Sequence, residues 1–498
     1  MASISDLELY KLCDRYPFSL EELQILIRCH KAMRDDGNKD SPLMKMALCS
    51  PYSYFFLPGD EMKNRINFIE DCVLPMGFPN ELRAAIAADA FVNYANEEQD
   101  INFERFLEGL ADTGRRGPKE ALRVLYEILP DPVVEDIVAI CFRLALASDI
   151  LTDPTFDEKS IHRKLSLTSL ATNPLVKSLK EAMSQGNDAE LTKNDFITWA
   201  EQTTPILSST LSTFIHNLLF HGHPYPVSRI PYSRPVLDTI SDIFLESDSH
   251  LLFPMSLMSA KLSGKMSRLY SSVVDGSSFN RFEWNLLGYG GPTLLLIQTE
   301  CDVILGAFAS QPWRDTDHFY GTSESFVFQI EPVLRVFHAT GKDNHFMYCH
   351  GSSKRGSFVG QEMPPLGLGF GGSIYKPRLF LPESLEECSA DFFDTTYESG
   401  DLLPKEAMET FRIKYLEVWG VGGDQAIASA LKDRSSYRDR VNTSIDRART
   451  VLGPSVFVDD LKSGLIPNKI FNTTQARGHQ EYYVDDSQGG NKLEMDTV

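Results

Sequence analysis

His338, His345, Cys349 and His350 crowd into one short stretch and offer the nitrogen and sulfur donors of a zinc site. They lack the paired spacing of a structural site, as does His221-x-His223. In a strand, Cys349 and His350 face opposite sides, so core or surface histidines are expected there rather than ligands. Gly367-Leu-Gly-Phe-Gly-Gly372 matches the G-x-G-x-x-G of a dinucleotide loop, which needs a strand before it and a helix after it. Here Pro364-Pro365 precedes and a strand-like Ser373–Phe380 follows, so the glycines are read as positive-φ or close-packing positions. Glu324 and Glu417 are single carboxylates in apolar, strand-like runs, and Asp317-His318 is a loop dipeptide. With no G-x-S-x-G elbow and no nameable partner group, the expected role of Glu324 is a buried cap on backbone N–H groups.

Calcium chemistry needs oxygen ligands at set positions of a twelve-residue loop, with glycine at the sixth. Taking Leu191 as the eighth position puts Ser184, Gly186, Asp188 and Asp195 on ligand positions and Ala189 at the turn. Taking Ile101 instead gives Tyr94, Asn96, Glu98, Gln99 and Arg105. Both sets are poor in carboxylates, so calcium binding is expected to be weak or absent, and no cofactor is expected.

The elements that must position these groups fall into two characters. Up to 221 the chain has helical periodicity, opened by the capping-box spacing Ser19-Leu-Glu-Glu22. Helices are expected near 60–74, 79–95, 103–112, 117–129, 131–148, 174–185, 192–202 and 204–220. The helices starting near 103 and 192 each follow a short polar loop, like the exit half of an EF-hand. A proline-rich connector, 222–233, follows, and a helical piece is expected over 234–247. From 282 to 421, short apolar runs such as Val333–His338, Phe346–His350, Ile374–Leu381 and Phe411–Val421 alternate with glycine turns. That pattern predicts an antiparallel β-sandwich or a related α+β domain. An amphipathic helix is expected over 424–452, which either packs back on its own domain, the commoner case, or inserts into a partner groove through Tyr437, Arg438, Val441 and Ile445; a mostly disordered tail, 453–498, is expected after it.

At 498 residues the chain exceeds one ordinary core. Its hydrophobic content of 42% and charged content of 23% are those of a soluble globular protein. A net charge of -21 argues against nucleic-acid binding and against attraction to anionic lipid, so membrane contact is expected to be indirect, through a protein partner. The start, Met1-Ala2, leads to no expectation of a signal peptide or of myristoylation. The eight cysteines are scattered, which fits reduced thiols in the cytoplasm.

The block Gly306–Phe328 reads strand, tryptophan loop, strand, with its aromatic side chains expected to meet in one core. Gly306, Phe308, Trp313, Gly321, Glu324, Phe326 and Phe328, then Gly371 and Gly372, then Glu417 and Trp419, together resemble the TLDc family over 234–423. The wider layout is similar to the branch of that family associated with mTOR, with a degenerate EF-hand-like region first and a helix last. The resemblance implies an all-α EF-hand-like region over 1–221. It implies an α+β TLDc domain of two antiparallel sheets packed as a sandwich, with helices, and then a C-terminal helix. It implies a non-enzymatic adaptor that binds V-ATPase subunits at lysosomal or vacuolar membranes, with links to oxidative-stress resistance and an mTOR-type kinase complex. The competing readings are a hydrolytic or antioxidant enzyme using Glu324, and a calcium-responsive sensor.

Overall fold

Side-chain caps mark the helix starts at Ser19 and Thr192. Ser19 N donates to Glu22 Oε2 (2.8 Å) and Glu22 N donates to Ser19 Oγ (3.2 Å), the reciprocal pair that the spacing predicts. Asp195 N donates to Thr192 Oγ1 (3.2 Å) at the start of the helix Lys193–Thr203. The computed structural model describes residues 6–33, 59–69, 73, 103–127, 134–152, 159, 173–184, 192–220, 223–226, 229–244, 249–351, 364–404, 410–430 and 432. These divide into two units: those within Met1–Val236, Glu246–Gly264 and Pro332–Leu334, and those within Leu237–Leu245, Lys265–Glu331 and Arg335–Val498.

The first unit is helical. Its described helices are α1 (Asp6–Arg15), α2 (Leu20–Met33), α3 (Gly59–Phe68), α4 (Phe103–Gly114), α5 (Pro118–Glu127), α6 (Val134–Thr152), α7 (Pro174–Ser184), α8 (Lys193–Thr203), α9 (Leu207–Leu219) and α10 (Ser249–Met258). The α6 sequence is apolar almost all round, and the helix is buried accordingly, packed most extensively against α9. Arg65 reaches in to donate to Ile150 O (2.7 Å). Trp199 Nε1 on α8 donates to Ser178 Oγ on α7 (2.9 Å), which ties that helical pair together. None of the described helices is long and apolar enough to cross a membrane. The helix expected over 79–95 lies outside the described residues.

Two expectations change. The connector is extended, as its prolines require, but it is hydrogen-bonded within the helical unit. Tyr225 Oη meets Ser212 Oγ (2.9 Å), and Tyr232 N donates to Thr213 Oγ1 (2.8 Å). The helix expected over 234–247 is absent from its described residues, 234–244. In its place are a two-residue strand, β1 (Val236–Leu237), and a turn in which Ser241 Oγ accepts from Ile243 N (3.1 Å) and Phe244 N (2.8 Å). That local side-chain acceptor competes with helical pairing, and the next described helix is Ser249–Met258.

The second unit is built on two antiparallel sheets. The larger has the order β1, β2 (Lys265–Ser271), β12 (Ile413–Gly420), β3 (Thr293–Thr299), β4 (Ile304–Ala309), β5 (Phe326–Glu331), β6 (Arg335–Phe337). The smaller has the order β11 (Thr410–Phe411), β10 (Cys388–Ala390), β9 (Leu379–Pro382), β8 (Gly367–Phe370), β7 (Tyr348–His350). One helix, α11 (Phe279–Leu287), follows β2. The last long strand, β12, inserts between β2 and β3, so the sheet cannot be completed until the domain's final segment arrives. Leu295, Ala307, Val327 and Val418 share a hydrophobic core with Leu368, Phe370, Leu379 and Leu381 of the smaller sheet.

The aromatic block does not gather in one core as expected. Trp313 joins the shared core, edge-on to Phe370 at 5.7 Å. Phe308, Phe326 and Phe328 alternate with Ala307 and Val327, so they stand on the opposite face of the larger sheet, where they are also buried. A strand buried on both faces shows no polar alternation, which is why its sequence suggested a single core.

Past β12, residues 423–430 are helical; Ala430 is buried in the same core, and Ala426 and Ile427 pack against it. Tyr437, Arg438, Val441, Ile445 and the tail 453–498 lie outside the described residues.

Candidate functional site

Glu417 sits inside β12 between Leu416 and Val418 and is fully buried. Its Oε2 accepts from Ser241 Oγ (2.7 Å) and Trp419 Nε1 (3.0 Å), and its Oε1 accepts from Asp242 N (2.6 Å). One carboxylate thus ties the loop after β1 to the centre of the larger sheet. Burial pushes its pKa upward, and the three donors oppose that shift.

Glu324 is placed differently from its expected role. It lies in the exposed turn before β5, so the buried cap assigned to it is supplied by Glu417 instead. The turn itself is held by hydroxyls, with Ser310 Oγ between Thr322 Oγ1 (2.7 Å) and Ser325 Oγ (2.8 Å). Trp313 donates from Nε1 to Thr293 Oγ1 (2.8 Å), which fixes the tryptophan loop on β3. Phe308 stacks on Phe326 across the β4–β5 ladder, with ring centroids 5.1 Å apart. At Gly321 a side chain would come within 3.0 Å of Met347.

The glycine run is structural, as expected. It forms β8 and then a tight turn, with Gly371 at φ 68 and Gly372 at φ 70, and leads to β9 rather than to a helix. A second buried carboxylate organises this end. Asp394 Oδ2 accepts from Gly372 N (3.0 Å), Thr396 N (2.9 Å) and Tyr397 N (3.0 Å). Arg378, fully buried, lies over the Phe337 ring with its Nε 3.9 Å from Asp394 Oδ1, and its Nη2 donates to Gly400 O (2.5 Å). Burial lowers the Arg378 guanidinium to about 10, the nearby aspartates opposing the shift. The sequence reading missed both residues. Their pairing is made by the β8–β9 hairpin and the loop after β10, and neither flanking sequence announces it.

The histidine and cysteine stretch splits as the strand alternation predicts. Cys349 faces the shared core, and His350 lies on the other side with Nδ1 3.3 Å from Asp315 Oδ1. Both are buried nonetheless, because the 314–320 loop hydrogen-bonds along β7 and its edge, with Thr316 N donating to Cys349 O (2.8 Å). Among the described residues no group of three His, Cys, Asp or Glu side chains is arranged to hold a metal. For the calcium alignment, Asp195 is engaged with the Thr192 hydroxyl (2.5 Å), and residues 185–191 lie outside the described ones.

Glu283 on α11 is the most strongly acid-weakened carboxyl among the described residues of the unit. Burial, with Asp315 and Glu383 adding repulsion, raises it from the usual 4.5 to about 7. The native state therefore holds this proton across a range where the unfolded chain has released it. Its stabilisation is complete below about pH 4.5 and is lost as pH rises through about 7. Glu283→Gln, which stays neutral, is expected to flatten the fall in unfolding free energy between pH 5 and pH 8. It should exceed the native protein at pH 8 by up to about 3 kcal/mol. Urea unfolding of both proteins at those two pH values measures it, and parallel pH profiles would contradict the assignment.

Glu417 and Asp394 thus fasten loops to the two sheets. Comparison with known proteins finds relatives over stretches of this chain that differ in length. Zebrafish (Danio rerio) MTOR-associated protein MEAK7 is 36% identical over 177 residues, 34% of this chain and 36% of that protein. The chicken (Gallus gallus) protein of the same name is 25% identical over 371 residues, 71% of this chain and 75% of that protein. Human Nuclear receptor coactivator 7 is 27% identical over 191 residues, 38% of this chain and 18% of that protein. The match thus spans about a third of the zebrafish protein and three quarters of the chicken one. The family model of the TLDc domain matches residues 239–422, the stretch that runs from the Glu417-anchored loop to the end of β12, and this chain therefore carries a TLDc domain.

Proposed function

We propose that this chain is a non-enzymatic TLDc adaptor of the mTOR-associated kind. In this reading it is cytoplasmic, peripheral at the lysosomal or vacuolar membrane, and it binds the V-ATPase. It contributes there to oxidative-stress resistance and nutrient signalling. The observation that carries the proposal is reach: similarity to the chicken MTOR-associated protein extends over 371 residues, well beyond the matched domain at 239–422. A degenerate EF-hand-like role for the helical unit fits the α7–α8 pair joined by Trp199 and Ser178, with Asp195 spent on a helix cap.

Partner contact in this reading falls on the segment carrying Tyr437, Arg438, Val441 and Ile445. Affinity purification from solubilised lysosomal or vacuolar membranes tests it, comparing the full chain with one ending at Lys432. That end point keeps Ala426, Ile427 and Ala430 in the core. The full chain is expected to recover pump subunits and the kinase complex, and the shortened chain to lose the pump by about tenfold or more, a hot-spot-sized loss. Equal recovery would move the contact onto the TLDc domain itself. Recovery of neither partner by the full chain would overturn the adaptor reading.

A further inference from the structure

Val273 and Val274 stand 57% and 63% exposed at the tip of the turn after β2. The turn is held firmly. Ser271 Oγ accepts from Val273 N (3.2 Å) and Val274 N (3.3 Å), and Asp275 Oδ2 accepts from Ser271 N (2.9 Å). Ser272 exchanges two hydrogen bonds with Leu416 of β12, giving from its N (2.8 Å) and accepting at its Oγ (3.0 Å). Two aliphatic side chains are thus displayed to solvent on a braced backbone, so little ordering cost remains for whatever covers them.

Ser272 and Ser277 of the same turn line a groove of about 440 Å³, with Leu385, Ile413 and Leu416 as its apolar part. Leu385 is held at φ 56, a conformation a leucine seldom adopts, and its N donates to Pro382 O (2.9 Å). That turn buries Leu385 and turns Glu386 and Glu387 outward. The charges around the groove do not balance. Glu300, Glu386 and Glu387 line it, Lys414 is matched by Asp302 (2.7 Å), and Arg412 is the lining cation that remains.

We propose that this groove docks a basic segment of a partner protein, one that places aliphatic side chains between lysines or arginines. The aliphatic groups would cover Val273, Val274 and the leucine floor, and the cations would meet the three glutamates. Opposite charge at the rim sets orientation and encounter rate, while burial of the valines supplies contact area. Nucleic acid and anionic lipid are disfavoured by the same glutamates, which repel phosphate. The proposal requires neither the kinase nor the pump, so it stands or falls apart from the adaptor reading.

The test is fluorescence anisotropy of a short labelled peptide of arginines and leucines titrated with the full chain. A control peptide carries glutamate in place of arginine. The arginine peptide is expected to bind the native chain and the glutamate peptide not to. Glu386→Lys combined with Glu387→Lys is expected to weaken binding by about tenfold or more, and Val274→Ser by several-fold. All three positions are exposed, so thermal unfolding of these variants should match the native chain. Absence of binding to the native chain would overturn the proposal, as would equal binding by the charge-reversed chain or no effect of Val274→Ser. Self-association of the native chain that the double reversal abolishes would also overturn it, by showing that a second copy is the occupant.

Discussion

Gly306→Ala is expected to lower the unfolding free energy of the TLDc domain by about 3 kcal/mol or more, at the upper end of what overpacking costs. Gly306 sits in the middle of β4, opposite Leu296 on one side and Phe328 on the other. A methyl group there would lie 2.0 Å from Leu295 O and 2.8 Å from Phe328 Cζ. A flexible side chain could swing away, but a strand carbonyl cannot move without breaking the β3–β4 ladder. The conflict is steric rather than conformational, since the residue has no positive φ. Gly341 provides the contrast. It does have a positive φ, at 75, but nothing lies within 4 Å of an added methyl. Gly341→Ala should therefore cost only about 1 kcal/mol through its backbone conformation. Denaturant unfolding followed by tryptophan fluorescence compares the two, with Trp313 and Trp419 buried in this domain. Equal midpoints for the two variants would refute the argument.

What the sequence made legible follows the physics of each element. The capping box at Ser19 and the described helices of the first half declare themselves locally, and they stand near where their periodicity puts them, the helix expected over 79–95 lying outside the described residues. The strands of the Gly306–Phe328 block are legible for the same reason. Their layering is not, because both faces of the larger sheet are buried and alternation between Val327 and its phenylalanine neighbours carries no polar signal. Glu324 and Glu417 show where the reading could have been sharper. Glu324 precedes its strand among turn residues, whereas Glu417 interrupts a long apolar strand, Ile413–Gly420, where a carboxylate must find donors. Glu283 was legible in principle, since it falls a helical turn from both Phe279 and Leu286 on the apolar face of α11. The Arg378–Asp394 contact was not, because only the folded hairpin brings the two together.

Glu417 carries the other large effect. Glu417→Ala is expected to destabilise the domain by about 3–5 kcal/mol, because three donors lose their acceptor where no solvent reaches the carboxylate. The loss would propagate. Ser241 Oγ, which donates to Glu417, also accepts from Ile243 N and Phe244 N, while Asp242 Oδ2 accepts from Ser271 Oγ (2.6 Å). The carboxylate is thus the anchor of a chain of bonds running from β12 through the 241–244 turn to the end of β2. Glu417→Gln separates this account from simple cavity formation. The amide fills the same space, and its oxygen can serve Ser241 and Trp419, but its NH₂ then confronts the N–H of Asp242. The Gln variant should therefore cost about 1–2 kcal/mol, and its penalty should sit in the loop. Amide hydrogen exchange is expected to accelerate at Asp242, Ile243 and Phe244 in both variants. In the Gln variant, exchange in β3 and β4 should remain slow. A Gln variant as unstable as the Ala variant, with uniform acceleration across the sheet, would show that Glu417 acts through packing of β12 rather than by holding the loop.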